Sequence, residues 1–180
     1  SPDGLEIVFL PSASVHDGRF ANDGWLQELP DPLTKLTWDN PALVSPTTAE
    51  SLGLTSGDWV RLDYAGRSME LPVWLVPGMT DGVVALTVGY GRSHAGRVGS
   101  GVGVNAFTVR GSLALGFDSG ARLTGLERTY PLSVTQEHGS MEGRPVVRES
   151  TLTALRSRTA AGTEQACNLA NHLFLVFDAA

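Results

Sequence analysis

The sequence predicts a mainly β fold, a barrel or sandwich with minor helix. Short apolar runs alternate with polar residues at a period of two. Turn pairs such as Ala65–Gly66, Pro77–Gly78 and Asp81–Gly82 separate them. Only one segment carries both a helix start and a helix stop.

The elements follow in order. Leu5 to Leu10 is an apolar strand ended by Pro11. Residues 12–37 form a long irregular loop. Loops of that length in a compact domain are usually functional or disordered, and Phe20, Trp25 and Trp38 argue for order here. Ser45 to Gly53 is a short helix, with Ser45 as N-cap, Pro46 at the first position and Gly53 as the left-handed cap. Trp59 to Tyr64 alternates Val60, Leu62 and Tyr64 against Arg61 and Asp63, which reads as a half-buried strand. The return strand aligns Met69, Leu71, Val73 and Leu75 on one face. Pro72 inside it lacks a ladder donor and demotes it to an edge or bulged position.

Val83 to Val88 is a buried strand, followed by six glycines between Gly89 and Gly103. Val104 to Val109 reads as a further strand, and residues 111–129 as loop with a weak strand near Arg122–Leu126. Tyr130 to Thr135 is expected to be the last strand. The expected domain covers residues 1–150, with a partly helical tail at 151–180. Ser1–Pro2–Asp3–Gly4 reads as a cut from a longer chain.

The net charge of −6 argues against nucleic acid as a partner. No apolar run is long enough to span a bilayer as a helix. One cysteine, Cys167, makes no internal disulfide and no cysteine-based metal site. The four histidines show no metal-ligand spacing, and no Walker lysine or Gly-x-Ser-x-Gly elbow is present. No catalytic residues are assigned, and the chain is not expected to be an enzyme by itself.

The charges are unevenly spread. Residues 1–66 hold ten acids and three bases, whereas 82–117 hold no acid but Arg92, Arg97 and Arg110, with His94 among them. Glycines let backbone N–H groups converge on an anion, arginines add charge-assisted bonds to phosphate, and Asn105 offers a donor and an acceptor to a ring edge. Together they suit a large, anionic, heterocyclic cofactor. The competing reading is a surface loop with solvated arginines, and an Asn105 that closes a bulge.

From Ser45 to Val60 the chain resembles the helix–turn–strand unit of molybdopterin-dinucleotide-binding domains. The ordered features Val76–Pro77–Gly78, Gly82–Val83–Val84, Gly89–Tyr90–Gly91 and Gly103–Val104–Asn105 continue the match over about residues 5–150. That resemblance implies a double-psi β-barrel with one or two short helices. It implies molybdopterin guanine dinucleotide as the cofactor and no metal bound directly by this domain. Tyr90, Arg92, Arg97 and Asn105 become cofactor-binding candidates, joined by His16 and Arg19 from the loop after the first strand.

Two segments, Gly24–Asn40 and His138–Pro145, are similar to the molybdopterin-like iron–sulfur subunit of alternative complex III, a quinol-oxidising membrane assembly of bacteria. That likeness implies an assembly module with a vestigial pterin pocket, on the outer, periplasmic face of the cytoplasmic membrane. Its partners would be the other domains of a parent oxidoreductase and further subunits, with Trp25, Trp38 and residues 138–145 in contact. Two alternatives stay open beside it, a working cofactor-binding domain of a molybdenum or tungsten oxidoreductase and a double-psi barrel of unrelated function.

Overall fold

A computed structural model describes residues 4–135, 147–151, 153 and 173–177. Two compact units divide the chain, Ser1–Gln136 and Glu137–Ala180.

The first unit is a closed six-stranded barrel, in the order β1 (Leu5–Pro11), β5 (Val83–Val88), β2 (Ala42–Val44), β4 (Arg67–Leu75), β3 (Asp58–Tyr64) and β6 (Phe117–Thr129). Two pairings are parallel, β1 with β5 and β2 with β4, and the other four are antiparallel. Those crossed parallel pairs in an otherwise antiparallel barrel give the double-psi arrangement. Closure leaves no strand edge in the barrel open to other chains.

Alternation places one face of each strand inside. Ile7 and Phe9 from β1, Val60 and Leu62 from β3, Leu71 and Val73 from β4, and Val84 and Leu86 from β5 fill the interior. Met69 and Leu75 pack against this core half-buried. Burying a side chain of this size is worth about 1.5–3 kcal/mol, so the barrel core dominates stability.

The segment Ser45–Gly53 folds as the sequence requires. In α2 (Pro46–Leu52) the Ser45 hydroxyl accepts from the Thr48 amide, and Gly53 takes the left-handed conformation at φ 65°. Ser45 Oγ also donates to Asp81 Oδ1 at 2.5 Å, tying the helix start to the turn before β5. Ala65 and Gly66, at φ 49° and 72°, form the tight β3–β4 hairpin turn.

Several expectations are corrected. The strand β4 is not an edge strand of the closed barrel, but each of its residues has one strand partner: Arg67–Pro72 pair with β3 and Val73–Leu75 with β2. Pro72 lies opposite Trp59 at the end of the β3 register, and the β2 register starts at Val73, so the missing donor falls at the handover. The span 111–129, expected to be loop with a weak strand near Arg122–Leu126, contains the 13-residue strand β6, which takes in those residues and extends well before them. Only Ala121 and Leu123 are buried along it, so its apolar alternation was too sparse to read. The strand expected at Val104–Val109 is a 3₁₀ turn over Ala106–Thr108, capped by the Asn105 side chain. Tyr130–Thr135 makes only an isolated bridge, Leu36 with Val134. The short strand β2 had no expectation attached.

In the second unit β7 (Val147–Thr151) pairs in parallel with β8 (Leu173–Phe177). Residues 173–177 of the tail expected to be partly helical are therefore strand. The rest of that tail, apart from residues 151 and 153, and the segment His138–Pro145 lie outside the described residues.

Candidate functional site

At the end of β5 the chain leaves the barrel through Gly89, Tyr90 and Gly91 and returns at Val104. Gly91 N–H donates to the Val102 carbonyl at 3.1 Å, and Gly101 N–H donates to the Arg92 carbonyl at 2.9 Å. The glycine-rich loop is thus clipped across its neck and carries the four-residue α3 (Gly96–Gly99) at its tip.

One buried side chain fixes the returning limb. Asn40 Nδ2 donates to the Thr87 carbonyl at 2.7 Å and to the Val104 carbonyl at 2.8 Å, and its Oδ1 accepts from Val104 N–H at 2.7 Å. All but 4 % of Asn40 is buried. The loop is pinned to the last turn of β5 by three bonds from one amide. A Cβ added at Gly103 would stand 2.7 Å from Asn40 Oδ1 and 2.9 Å from Tyr90 Cβ. Glycine is required there to let the limb lie this close.

The loop after β1 closes on the same place. A Cβ at Gly89 would lie 2.7 Å from Gly18 N, and one at Gly18 would lie 3.3 Å from an Arg92 guanidinium nitrogen. Between these loops lies a cleft of about 320 Å³, lined among others by Asp17, Tyr90, Arg92, His94, Asn105 and Phe107. Tyr90 and Ser12 hydroxyls hydrogen-bond at 3.1 Å. Desolvation by burial pushes the Tyr90 phenol above its usual pKa, with a smaller opposing effect from Ser12. The ring stays a neutral hydrogen-bonding group.

Of the six candidates, Tyr90, Arg92 and Asn105 line the cleft, and His16 and Arg19 flank it through Asp17. Arg97 sits exposed on α3 and is not part of the lining. Asn105 is exposed rather than buried in a bulge, and its Oδ1 accepts from Phe107 N–H at 3.1 Å. The buried asparagine of this region is Asn40, which sequence reading missed. Its signal was a lone asparagine before Pro41 and an apolar strand, too common a pattern to single out.

Asp17 was also missed, and it is the one acid in the lining. Arg19 holds it with two bonds of 2.9 and 3.0 Å, and this pairing keeps the carboxyl well below the usual carboxylate range. The pair is exposed, so its worth to stability is small. By contrast, Arg92 takes part in none of the ion pairs among the described residues. The cleft therefore offers one unpaired guanidinium, an imidazole, a phenol and a free carboxamide nitrogen. This set suits an anionic group joined to a heteroaromatic ring. The volume suits one end of a dinucleotide. Among the described residues no cluster of three His, Cys, Asp or Glu can hold a metal ion.

The comparisons with known proteins bear on these same residues. A family model described as Molydopterin dinucleotide binding domain matches residues 26–114, just under half of the chain. Among solved structures, the acetylene hydratase of Pelobacter acetylenicus matches at 24 % identity and a TM-score of 0.44, covering 58 % of this chain. This chain spans 14 % of that protein's length. No curated protein matches. The family match begins in α1 (Gly24–Glu28), takes in Asn40, the glycine-rich loop and most of the cleft lining, and ends before β6. Over residues 26–114 the chain is similar to the molydopterin dinucleotide binding domain, and it folds there as part of a mainly β, double-psi barrel.

Proposed function

We propose that this chain is the cofactor-binding barrel of a larger molybdopterin oxidoreductase-type protein, and that the 89–105 cleft takes the anionic, nucleotide end of a molybdopterin guanine dinucleotide. The observation that carries the reading is Arg92, an arginine without a carboxylate partner among the described residues, in a cleft built from glycine-rich backbone. Arg92 would meet phosphate oxygens, Asn105 Nδ2 and Tyr90 Oη would orient the ring or sugar, and Asp17 would accept from ring N–H groups. His16 and Arg19 hold Asp17 in place. The bound group would supply the redox chemistry at its metal, and this barrel supplies binding and orientation. Catalysis belongs to the remainder of the parent protein.

The test is cofactor retention by the parent protein. Arg92→Ala and Asn105→Ala variants are expected to lose bound dinucleotide on purification while their barrel stays folded. Unchanged cofactor content in both would overturn the reading.

A second reading is favoured by the exposed apolar residues of the loop after β1. Trp25 is 84 % and Leu33 86 % exposed, and both lie in the segment Gly24–Asn40 that resembles the alternative complex III subunit. Under it, the barrel is an assembly module of a quinol-oxidising complex on the periplasmic face of the membrane, and the cleft is vestigial. Its support is an apolar surface suited to contact with another domain or subunit. Loss of subunit association in a Trp25→Ser, Leu33→Ser double variant that still folds would favour this reading, and normal assembly would count against it.

A further inference from the structure

A second recess is lined in part by the returning limb of the glycine-rich loop. It has a volume of about 190 Å³ and is lined by Asp39, Trp59, Pro72, Tyr130 and the limb Gly101–Val104. Trp59 and Tyr130 meet edge to face, with centroids 5.9 Å apart and planes at 87°. Arg128 covers one face of Trp59, its guanidinium carbon 4.2 Å from the ring centroid, and is itself bound to Glu70 at 2.9 Å. Pro72 and Val104 supply apolar walls.

Asp39 is the only charged group in this lining. Its carboxylate is half-buried, with the Gly103 amide and the Tyr130 hydroxyl among the polar groups around it. It takes part in none of the ion pairs among the described residues. A carboxylate held partly out of water gains from a cation placed against it. Here the opposite charge is missing, and two aromatic rings stand beside the acid.

We propose that this recess is a binding site for a guanidinium group, carried on an arginine side chain of a partner protein segment. A guanidinium offers planar N–H donors to the remaining lone pairs of Asp39, stacks on aromatic rings, and sheds water more readily than an ammonium. The apolar walls accommodate the methylene stem. The site stands apart from the 89–105 cleft: Arg92 and His94 line that cleft, and Asp39, Trp59 and Tyr130 line this one.

Burial raises the pKa of Asp39, while the Tyr130 hydroxyl and the Gly103 amide lower it. The charged or ionisable groups around it are Tyr130, Tyr90, whose pKa Asp39 raises in turn, and Arg128 across the Trp59 ring. Binding of a cation therefore weakens as acidification protonates Asp39.

The experiment titrates the full chain with ethylguanidinium, with the neutral isostere N-ethylurea, and with the capped tripeptide Gly-Arg-Gly. The readout is the indole N–H resonance of Trp59, assigned by its loss in Trp59→Phe. Ethylguanidinium is expected to saturate with a dissociation constant on the order of 1 mM, and N-ethylurea to give no saturable shift. Asp39→Asn removes the charge at nearly constant size, and is expected to weaken guanidinium binding tenfold or more while the chain stays folded. Tighter binding of the tripeptide identifies a protein-borne arginine. Tighter binding of ethylguanidinium overturns that assignment in favour of a free guanidine. Equal shifts with N-ethylurea, or unchanged affinity in Asp39→Asn, overturn the site.

Discussion

Asn40 holds Val104 at both ends of its amide: Oδ1 accepts from the Val104 N–H and Nδ2 donates to the Val104 carbonyl, at 2.7 and 2.8 Å. With its third bond, to the Thr87 carbonyl at 2.7 Å, it joins the end of β5 to the returning limb of the cleft loop. Replacement by alanine strands one N–H and two carbonyls in a buried place. Asn40→Ala is expected to destabilise the barrel by about 3 kcal/mol, given ~1–3 kcal/mol per unsatisfied buried group and partial relief by water. Urea unfolding of the purified chain reads this directly. A loss below ~1 kcal/mol would show that the loop is held by other contacts.

Two glycines in the same loop should respond differently to alanine. At Gly91, φ 73°, an added Cβ would overlap the backbone of Val104 and Asn105, which cannot withdraw without opening the cleft. At Gly101, φ 76°, nothing lies within 4 Å. Gly101→Ala is expected to cost about 1–2 kcal/mol from left-handed strain alone. Gly91→Ala is expected to cost more, and to disturb the Asn105 resonances in an amide spectrum. Equal costs would contradict the close packing of the two limbs.

The two arginines of the loop separate the cleft from its surroundings. Arg92 lines it and Arg97 does not. Removing one charge-assisted bond costs about 1.5–3 kcal/mol, so Arg92→Ala is expected to weaken cofactor retention by tenfold or more. Arg97→Ala is expected to change it less than about twofold, as a distant screened charge would. Comparable losses in both variants would mean that general positive charge matters, rather than the cleft.

Asp39 gives the barrel a pH signature. Burial raises its folded pKa above the ordinary 3.8, so the native state binds the proton more tightly than the unfolded chain. Its contribution to stability is then fully present below 3.8 and is lost as pH rises through the raised value. The melting temperature of Asp39→Asn relative to the parent sequence is expected to increase with pH across that window. A flat difference would show that the polar groups beside the carboxylate offset its desolvation.

The legible parts of the fold were those in which local chemistry and tertiary position agree. Ser45, Pro46 and Gly53 specify their helix through capping, and the alternation Val60, Leu62, Tyr64 specifies β3. The strand β6 hid because a barrel needs only two buried residues from it, Ala121 and Leu123, and fills the other face with charge. Pro72 does mark a position with one strand partner, and only the register shows that it is the handover of β4 from β3 to β2 inside a closed barrel. The cleft was half legible. An acid-free, glycine-rich run announced Tyr90, Arg92 and Asn105, whereas Asp17 and Asn40 join them from 50 or more residues away and leave no mark on local composition.

The central claim is that the 89–105 cleft holds the nucleotide end of a molybdopterin dinucleotide. The most direct measurement is the releasable pterin dinucleotide, with molybdenum and tungsten, per chain in the full-length parent protein purified from its native host. The account predicts about one dinucleotide or more per chain in the native protein, falling sharply in Arg92→Ala. A folded parent protein with no releasable pterin and no molybdenum or tungsten would contradict it.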